Sequence, residues 1–182
     1  TKNITGTIGL QLLSDAFDRV ASSGVGVSAI TDDLYKKGIS ISFDADATFF
    51  LPGGLCADAI ACFIRSRLFR PPGEPAQKPF IVFNPTYIGE PATTLAAVLV
   101  HEGTHFQQYL DGTLFHKDAG NLTTVDVEFT AFWNEAVFWS EVRASQAPFT
   151  TSLERELEGV YALALQGEAA LRNAIAAVYG SS

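Results

Sequence analysis

Residues 92–110 constrain the fold of this chain more than any other segment. The stretch contains no proline and is mostly apolar, and it follows Pro91, a residue suited to the first turn of a helix. Asp111-Gly112 ends it. The pattern predicts a long buried helix against which the rest of the chain packs. Its middle nevertheless carries two imidazoles and a carboxylate, which need partners because burying unpaired polar groups is costly.

These polar residues form the pattern HExxH, written here as His101-Glu102-Gly103-Thr104-His105. Positions i and i+4 of a helix are about 40° apart around its axis, so both imidazoles can reach one metal ion. Glu102 then lies beside the metal, where it can take a proton from a metal-bound water. The chain has 3 histidines, and two of them are here. The alternative interpretation is a pair of surface histidines on an ordinary helix.

A catalytic zinc ion needs a third protein ligand, which the sequence offers in more than one place. Asp111 lies six residues after His105, but an unbroken helix puts it on the wrong face. The other candidates are Glu128, Glu135 and Glu141 on the next predicted helix. In an antiparallel hairpin, His105 lies about 9 Å and Glu128 about 7.5 Å from the turn, so their levels match. Glu128 is therefore favoured over the alternatives.

Glu135 stays open as an alternative third ligand. It lies about 10 Å further along the helix than Glu128 and faces the same way, so it should be too far up to bind the ion. It could still hydrogen-bond a ligand or line the cleft. Glu141 lies further still, and we interpret it as a solvated surface charge.

The HExxH pattern followed by Glu128-Phe129-Thr130-Ala131 resembles the gluzincin-type zinc metallopeptidases. These enzymes combine HExxH on one helix with a Glu, often written ExxA, on the next, and the resemblance covers roughly residues 80–143. It implies a Zn²⁺ ion held by His101, His105 and Glu128, with Glu102 as the general base of peptide hydrolysis. It also implies a zincin-like fold, in which the edge strand of a small mixed sheet holds an extended peptide. Residues 80–88 are the candidate for that strand.

Three further side chains are candidates for contact with the substrate or with the oxyanion of a transition state. Tyr109 lies one turn beyond His105 on the same helical face, His116 lies in the connecting loop, and Tyr87 follows the candidate edge strand. Each also has a purely structural interpretation, as a packed tyrosine or a solvated histidine.

The other segments predict an α+β fold in a single domain over residues 1–182. A helix-plus-sheet part extends to about residue 90, and a mainly helical part carrying the metal site follows from about residue 91. The expected elements are a helix near 8–22, strands at 39–43, 48–51 and 80–83, helices at 55–69 and from Thr123 to about Arg143, and a final helix at 153–179 with a weak point at Gly167. Proline-rich residues 70–79 are expected to form a loop, and residues 112–122 a connection.

Composition excludes several classes of protein. The apolar fraction of 47% is too high for a disordered chain. The net charge of −8 and the lack of a large basic cluster argue against nucleic acid as a partner. No apolar run approaches the roughly 18 residues that a membrane span requires. The expected partner is a peptide or protein substrate, and the oligomeric state stays open.

The two cysteines leave their pairing open. If residues 55–69 are helical, Cys56 and Cys62 are separated by about 9 Å of helical rise. That exceeds the roughly 7 Å Cα separation that a disulfide tolerates, so either the pair is unbridged or the segment is not helical. The chain lacks methionine and begins at Thr1, which predicts a processed or trimmed N-terminus. Secretion would account for it, so an extracellular or periplasmic location is favoured, although trimming alone would also suffice.

The residues thus support a zinc-dependent metallopeptidase as the leading hypothesis. A non-catalytic zincin-like domain that holds a peptide or partner in the same cleft is the alternative. In a third hypothesis, HExxH is accidental in an ordinary α+β scaffold.

Overall fold

The structure, a computed structural model, describes residues 7–44, 49–52, 54, 56–65 and 78–180. The described residues form an α+β fold, as the sequence predicts, and most of them are helical. The helices are α1 (Thr7–Ala21), α2 (Ser28–Lys37), α3 (Ala92–Leu110), α4 (Thr113–Asp118), α5 (Thr124–Val142), α6 (Ser152–Gln166) and α7 (Glu168–Tyr179). The strands are β1 (Ser40–Phe43), β2 (Ala61–Ile64) and β3 (Phe80–Phe83).

The three strands form one mixed sheet in the order β1-β3-β2. β3 is parallel to β1 and antiparallel to β2, so it is the central strand. The strand predicted at 80–83 is confirmed, but the prediction that residues 80–88 form the edge strand is wrong. The run Phe-Ile-Val-Phe is apolar throughout because β3 is covered on both faces, which is typical of a central strand. β2 is the edge strand that contacts α3.

The helix predicted at 55–69 is also wrong. Residues 61–64 of this segment form β2, and a disulfide links Cys56 to Cys62 with their Cα atoms 6.1 Å apart. Short apolar runs fit a strand or a helix equally well, and here pairing with β3 decides. Residues 49–51 form a turn, so the prediction of a strand at 48–51 is wrong for these residues. Residue 48 lies outside the described part of the chain. Positions 70–77 of the loop predicted at 70–79 also lie outside the described part of the chain.

Two helices were not anticipated. α2 has few apolar residues at helical spacing and buries mainly Ile30, Thr31 and Leu34. α4 lies inside the connection predicted at 112–122. The predicted C-terminal helix is divided in two at Gly167, whose φ of 106° lies in the left-handed region that favours glycine.

α3 runs through the centre of the molecule. Its residues from Thr93 to Thr104 are all buried, and it packs against α1, α5 and β2. α5 begins where the sequence predicts, because Thr123 and Asp126 form a reciprocal capping box. The two helices are antiparallel: Gln108 Nε2 donates to the carbonyl of Val127, and Asn134 Nδ2 donates to Thr104 Oγ1. This arrangement sets which residues of α5 face the histidines.

Candidate metal centre

Three donor atoms from α3 and α5 lie close together. His101 Nε2 is 3.2 Å from His105 Nε2, and Glu128 Oε2 is 3.4 Å from each of these nitrogens. A tetrahedral zinc ion with bonds of about 2.0–2.1 Å needs ligand atoms about 3.3–3.4 Å apart. The three atoms therefore form one face of a tetrahedron of the right size, and the cluster could hold a metal ion.

The antiparallel helix pair explains why Glu128 reaches the histidines. The capping box fixes the start of α5, which puts Glu128 in the second turn and level with His105. The other candidate ligands are not part of this cluster. Asp111 is exposed at the end of α3 and accepts a hydrogen bond from the Thr113 backbone. Glu141 is exposed and accepts hydrogen bonds from Ser23 and Gly24.

Gln108 fixes the tautomer of His105. Its amide nitrogen donates to the carbonyl of Val127, so its oxygen faces His105 Nδ1 at 2.8 Å. His105 Nδ1 must then donate, which leaves the lone pair on Nε2 pointing into the cluster. Sequence reasoning missed this role, although the i, i+3 spacing of His105 and Gln108 on one helix could have suggested it.

Glu135 lies behind the other histidine. Its Oε2 atom is 3.2 Å from His101 Nδ1, and both side chains are buried. The contact is an ion pair without hydrogen-bond alignment, since Nδ1 lacks an aligned acceptor. Glu135 thus touches the nitrogen of His101 that faces away from the cluster. The sequence predicts that Glu135 lies too far along α5 to join the His–His–Glu face, and this placement agrees with that prediction.

The cluster binds a proton strongly. Burial lowers the pKa of His101, but the carboxylates of Glu128 and Glu135 outweigh it and raise that pKa to about 10. Burial raises the pKa of Glu128, but hydrogen bonds to His101 and His105 outweigh it and lower that pKa to about 2. Burial raises the pKa of Glu135 above its ordinary value. At neutral pH the protein alone therefore holds a protonated imidazole against an ionised carboxylate, a charge pattern that a divalent cation can replace.

Glu102 is held by the edge of the sheet. Its Oε2 atom accepts a hydrogen bond of 2.7 Å from the backbone N–H of Phe63 in β2. The side chain is 7% exposed, and it lines two cavities that adjoin the metal-ligand cluster. The carboxylate is thus fixed beside the cluster without being part of it.

The two cavities have volumes of about 300 and 360 Å³. We name the first the Glu156 cavity and the second the Lys117 cavity, after a residue that lines each. Both are bounded by Ala59, Ala61, His101, Glu102 and Tyr179. They therefore form two halves of one cleft that meet at the candidate metal centre.

The candidate substrate contacts are distributed unevenly around this cleft. Tyr87 lines the Glu156 cavity. Tyr109 packs against the rings of Phe63 and Phe115 and lines neither cavity. His116 lies exposed on α4 rather than in a loop and also lines neither.

Tyr179, at the end of α7, lines both cavities and was missed by sequence reasoning. Its ring lies 6.4 Å from that of Phe132, which in turn lies 4.5 Å from the ring of His101. Burial, and then the negative charges of Glu128 and Glu102, raise the pKa of Tyr179 to about 12. Nothing local in the sequence connects this residue to the HExxH segment, because only tertiary packing of α7 brings it there.

Among the described residues, no helix has the length and apolarity needed to cross a bilayer. Comparison with known protein families, curated proteins and solved structures finds no match to this chain.

Proposed function

We propose that this protein is a zinc-dependent metallopeptidase with a zincin-like, gluzincin-type site. His101, His105 and Glu128 would bind Zn²⁺, and Glu102 would act as general base. The tetrahedral-face geometry of the three ligand atoms is the observation that carries the proposal. The mixed sheet against α3 supports the zincin-like architecture.

The donor set favours zinc in a catalytic role. Two imidazoles and one carboxylate are a ligand combination that zinc accepts, and three protein ligands leave a fourth position for water or substrate. Structural zinc sites are closed by four protein ligands. Glu135 contacts the nitrogen of His101 that faces away from the cluster, so it supports a ligand rather than closing the site.

The residues around the ligands can each perform part of a hydrolysis. Zinc bound here would lower the pKa of water towards about 7. Glu102 would accept the proton of the attacking water and deliver it to the leaving amine. Tyr179 stays protonated at any working pH because of its raised pKa, so its phenol can donate a hydrogen bond to the developing oxyanion.

The open edge of β2 supports a peptide as substrate. The N–H of Phe63 points away from β3, because it donates to Glu102. In an antiparallel pair every second residue has the same orientation, so the N–H and C=O of Ala61 also point away from β3. Ala61 lines both cavities, and an extended peptide in the cleft can therefore pair with this strand.

The disulfide supports an extracellular or periplasmic location. Disulfides such as Cys56–Cys62 form and persist in oxidising compartments and are rare in the cytosol. A peptidase acting outside the cytosol fits this chemistry.

The decisive experiment compares the wild-type protein with Glu102→Gln and His105→Ala. The wild type should bind one zinc per chain and cleave a quenched-fluorescence peptide library. Glu102→Gln should keep the metal and lose hydrolysis, whereas His105→Ala should lose both. A wild-type protein that binds no zinc, or a Glu102→Gln variant with full activity, would overturn the proposal.

One observation favours a second candidate, a non-catalytic zincin-like domain that binds a peptide. The carboxylate of Glu102 already accepts a short hydrogen bond from Phe63, which reduces its freedom to accept a proton from water. Zinc binding and peptide binding without turnover in the wild-type protein would favour this candidate.

A further inference from the structure

The Glu156 cavity is strongly acidic. Four carboxylates line it, and no lysine or arginine is among its lining residues; the acidic residues are Asp58, Glu102, Glu135 and Glu156. Asp58 and Glu156 are exposed, whereas Glu102 and Glu135 are buried next to the candidate centre. A zinc ion would offset two of the three negative charges of Glu102, Glu128 and Glu135 at the centre, and Asp58 and Glu156 would keep the outer part of the cavity negative.

Glu135 points to a cationic occupant of this cavity. The side chain is 6% exposed, and its carboxylate contacts His101 Nδ1 at 3.2 Å without hydrogen-bond alignment. A buried carboxylate in this state gains from a cationic hydrogen-bond donor placed in the cavity. The cavity also has apolar and aromatic walls, formed by Tyr87, Val98, Phe132, Leu153 and Leu157. Such walls suit the aliphatic stem of a lysine or arginine side chain.

Two tyrosines in the cavity respond to the same field. Burial, and then the charges of Glu156 and Glu90, raise the pKa of Tyr87. Glu156 also contributes to the raised pKa of Tyr179, which lines the same cavity. The negative charge of Glu156 therefore acts on both tyrosines of the cavity.

The Lys117 cavity has the opposite character away from the centre. Lys117 and Arg65 line it, and its carboxylates are Glu102 and Glu128 of the centre itself. The charge of Arg65 is offset by Asp118 at 2.6 Å, so Lys117 supplies the positive charge of this half. With a divalent cation bound, the centre would keep one negative charge, and Lys117 would make the outer part of this half of the cleft positive.

Segment 58–65 connects the two halves. Residues 58–61 line the Glu156 cavity, and residues 56, 57, 59, 61–63 and 65 line the Lys117 cavity. Asp58 therefore lies in the wall of the Glu156 cavity and Arg65 in the wall of the Lys117 cavity, on one segment that contains β2. A peptide lying along this segment would meet an acidic cavity on one side of the centre and a basic cavity on the other.

We propose that the cleft selects peptides with a basic side chain in the Glu156 cavity and an acidic side chain in the Lys117 cavity. This selection rests on the proposed function, since it assumes that a peptide lies across the candidate centre. It gives the substrate a fixed direction, because only one order of the two charges matches the cleft.

The test uses two zinc-loaded proteins, the wild type for cleavage and Glu102→Gln for binding. Two fluorescent peptides have the same composition but place lysine and aspartate in opposite orders around the central bond. One order should be preferred about tenfold at low salt, because each matched exposed charge contributes about threefold in affinity. Binding is measured by fluorescence anisotropy and cleavage by the initial rate.

Charge-neutral variants then assign the two ends. Asp58→Asn with Glu156→Gln should reduce the preference about threefold, and so should Lys117→Gln. Asparagine suits position 58 because the φ of Asp58 is 65°, in the left-handed region that asparagine tolerates. Matched controls are Asp32→Asn and Lys37→Gln on α2, which should leave the preference unchanged.

Measuring binding and cleavage separately shows whether the proposed peptidase activity or the proposed charge selection fails. Charge-selective binding without any cleavage would overturn the peptidase but support the selection. Cleavage or binding that ignores the order of the charges, or that the cavity variants do not change, would overturn the selection while the peptidase stands. Failure of both peptides to bind would also overturn the selection.

Discussion

At the residue scale, the two histidines are supported in different ways. His105 donates to a neutral amide oxygen of Gln108, whereas His101 contacts the carboxylate of Glu135. Partners of this kind orient a metal-binding imidazole and increase its basicity. The ligand triangle therefore depends on residues outside HExxH.

Replacing Gln108 by leucine should weaken zinc binding about tenfold or more, because His105 loses the acceptor that fixes its tautomer. Competition with a chromophoric chelator measures the change in affinity. Gln107→Leu is the matched control, since Gln107 lies on the same helix and donates to Asp33 of α2. Equal affinities for the two variants would contradict the role of Gln108.

Zinc binding should displace a proton from His101. Because the pKa of this imidazole is raised to about 10 in the protein alone, it is protonated at pH 7.5, and zinc affinity should increase with pH. Calorimetry in buffers of different ionisation enthalpy measures the proton release.

The metal-free protein, prepared with a chelator, should show a related pH dependence of folding. Because of His101, its folded state binds more protons than the unfolded state between pH 6.5 and about 10, so the free energy of unfolding should decrease as pH rises through this window. A flat profile in both experiments would contradict the assignment.

Tyr179→Phe should lower kcat about 10²-fold with little change in KM, since the phenol would contribute mainly to the transition state. Zinc content should stay the same. Tyr35→Phe, at a side chain that is 64% exposed on α2, serves as the control. An unchanged kcat in Tyr179→Phe would show that the residue only shapes the cleft.

At the element scale, close packing of α2 on α3 explains the glycine within HExxH. A Cβ atom at Gly103 would collide with the side chain of Ile30. The glycine lets α2 approach the helix that carries both histidines.

Gly103→Ala should therefore destabilise the protein by about 1–3 kcal/mol through overpacking. Gly159→Ala on α6 is the matched control, because nothing lies within 4 Å of its added Cβ. There the better helix propensity of alanine should stabilise by up to about 1 kcal/mol. Chemical denaturation of the two variants measures both changes, and equal effects would contradict the packing argument.

The elements that sequence could predict are those with strong local signals. α3 has its apolar run, and α5 has the capping pair of Thr123 and Asp126. β2 has neither, and only its pairing with β3 and the disulfide define it. The same contrast between local signals and long-range packing applies to the residues of the site. Glu128 could be predicted from helix geometry, whereas Phe63 and Tyr179 reach the site through long-range packing.

At the scale of the whole molecule, the site is assembled from distant parts of the chain. Its ligands come from α3 and α5, the anchor of Glu102 comes from β2, and Tyr179 comes from the end of α7. One hydrophobic core extends from Leu13 to Leu157 and holds these elements together. No local pattern encodes such convergence, because each contact depends on the packing of the others.

The bond between Cys56 and Cys62 closes a small covalent ring that contains Asp58, Ala59 and Ala61. These three residues line the cleft, and the ring ends one residue before Phe63, whose N–H holds Glu102. Thiol reductants would open this ring without touching a single ligand atom. Samples handled in dithiothreitol and samples handled without it are therefore different starting materials for any assay of this cleft.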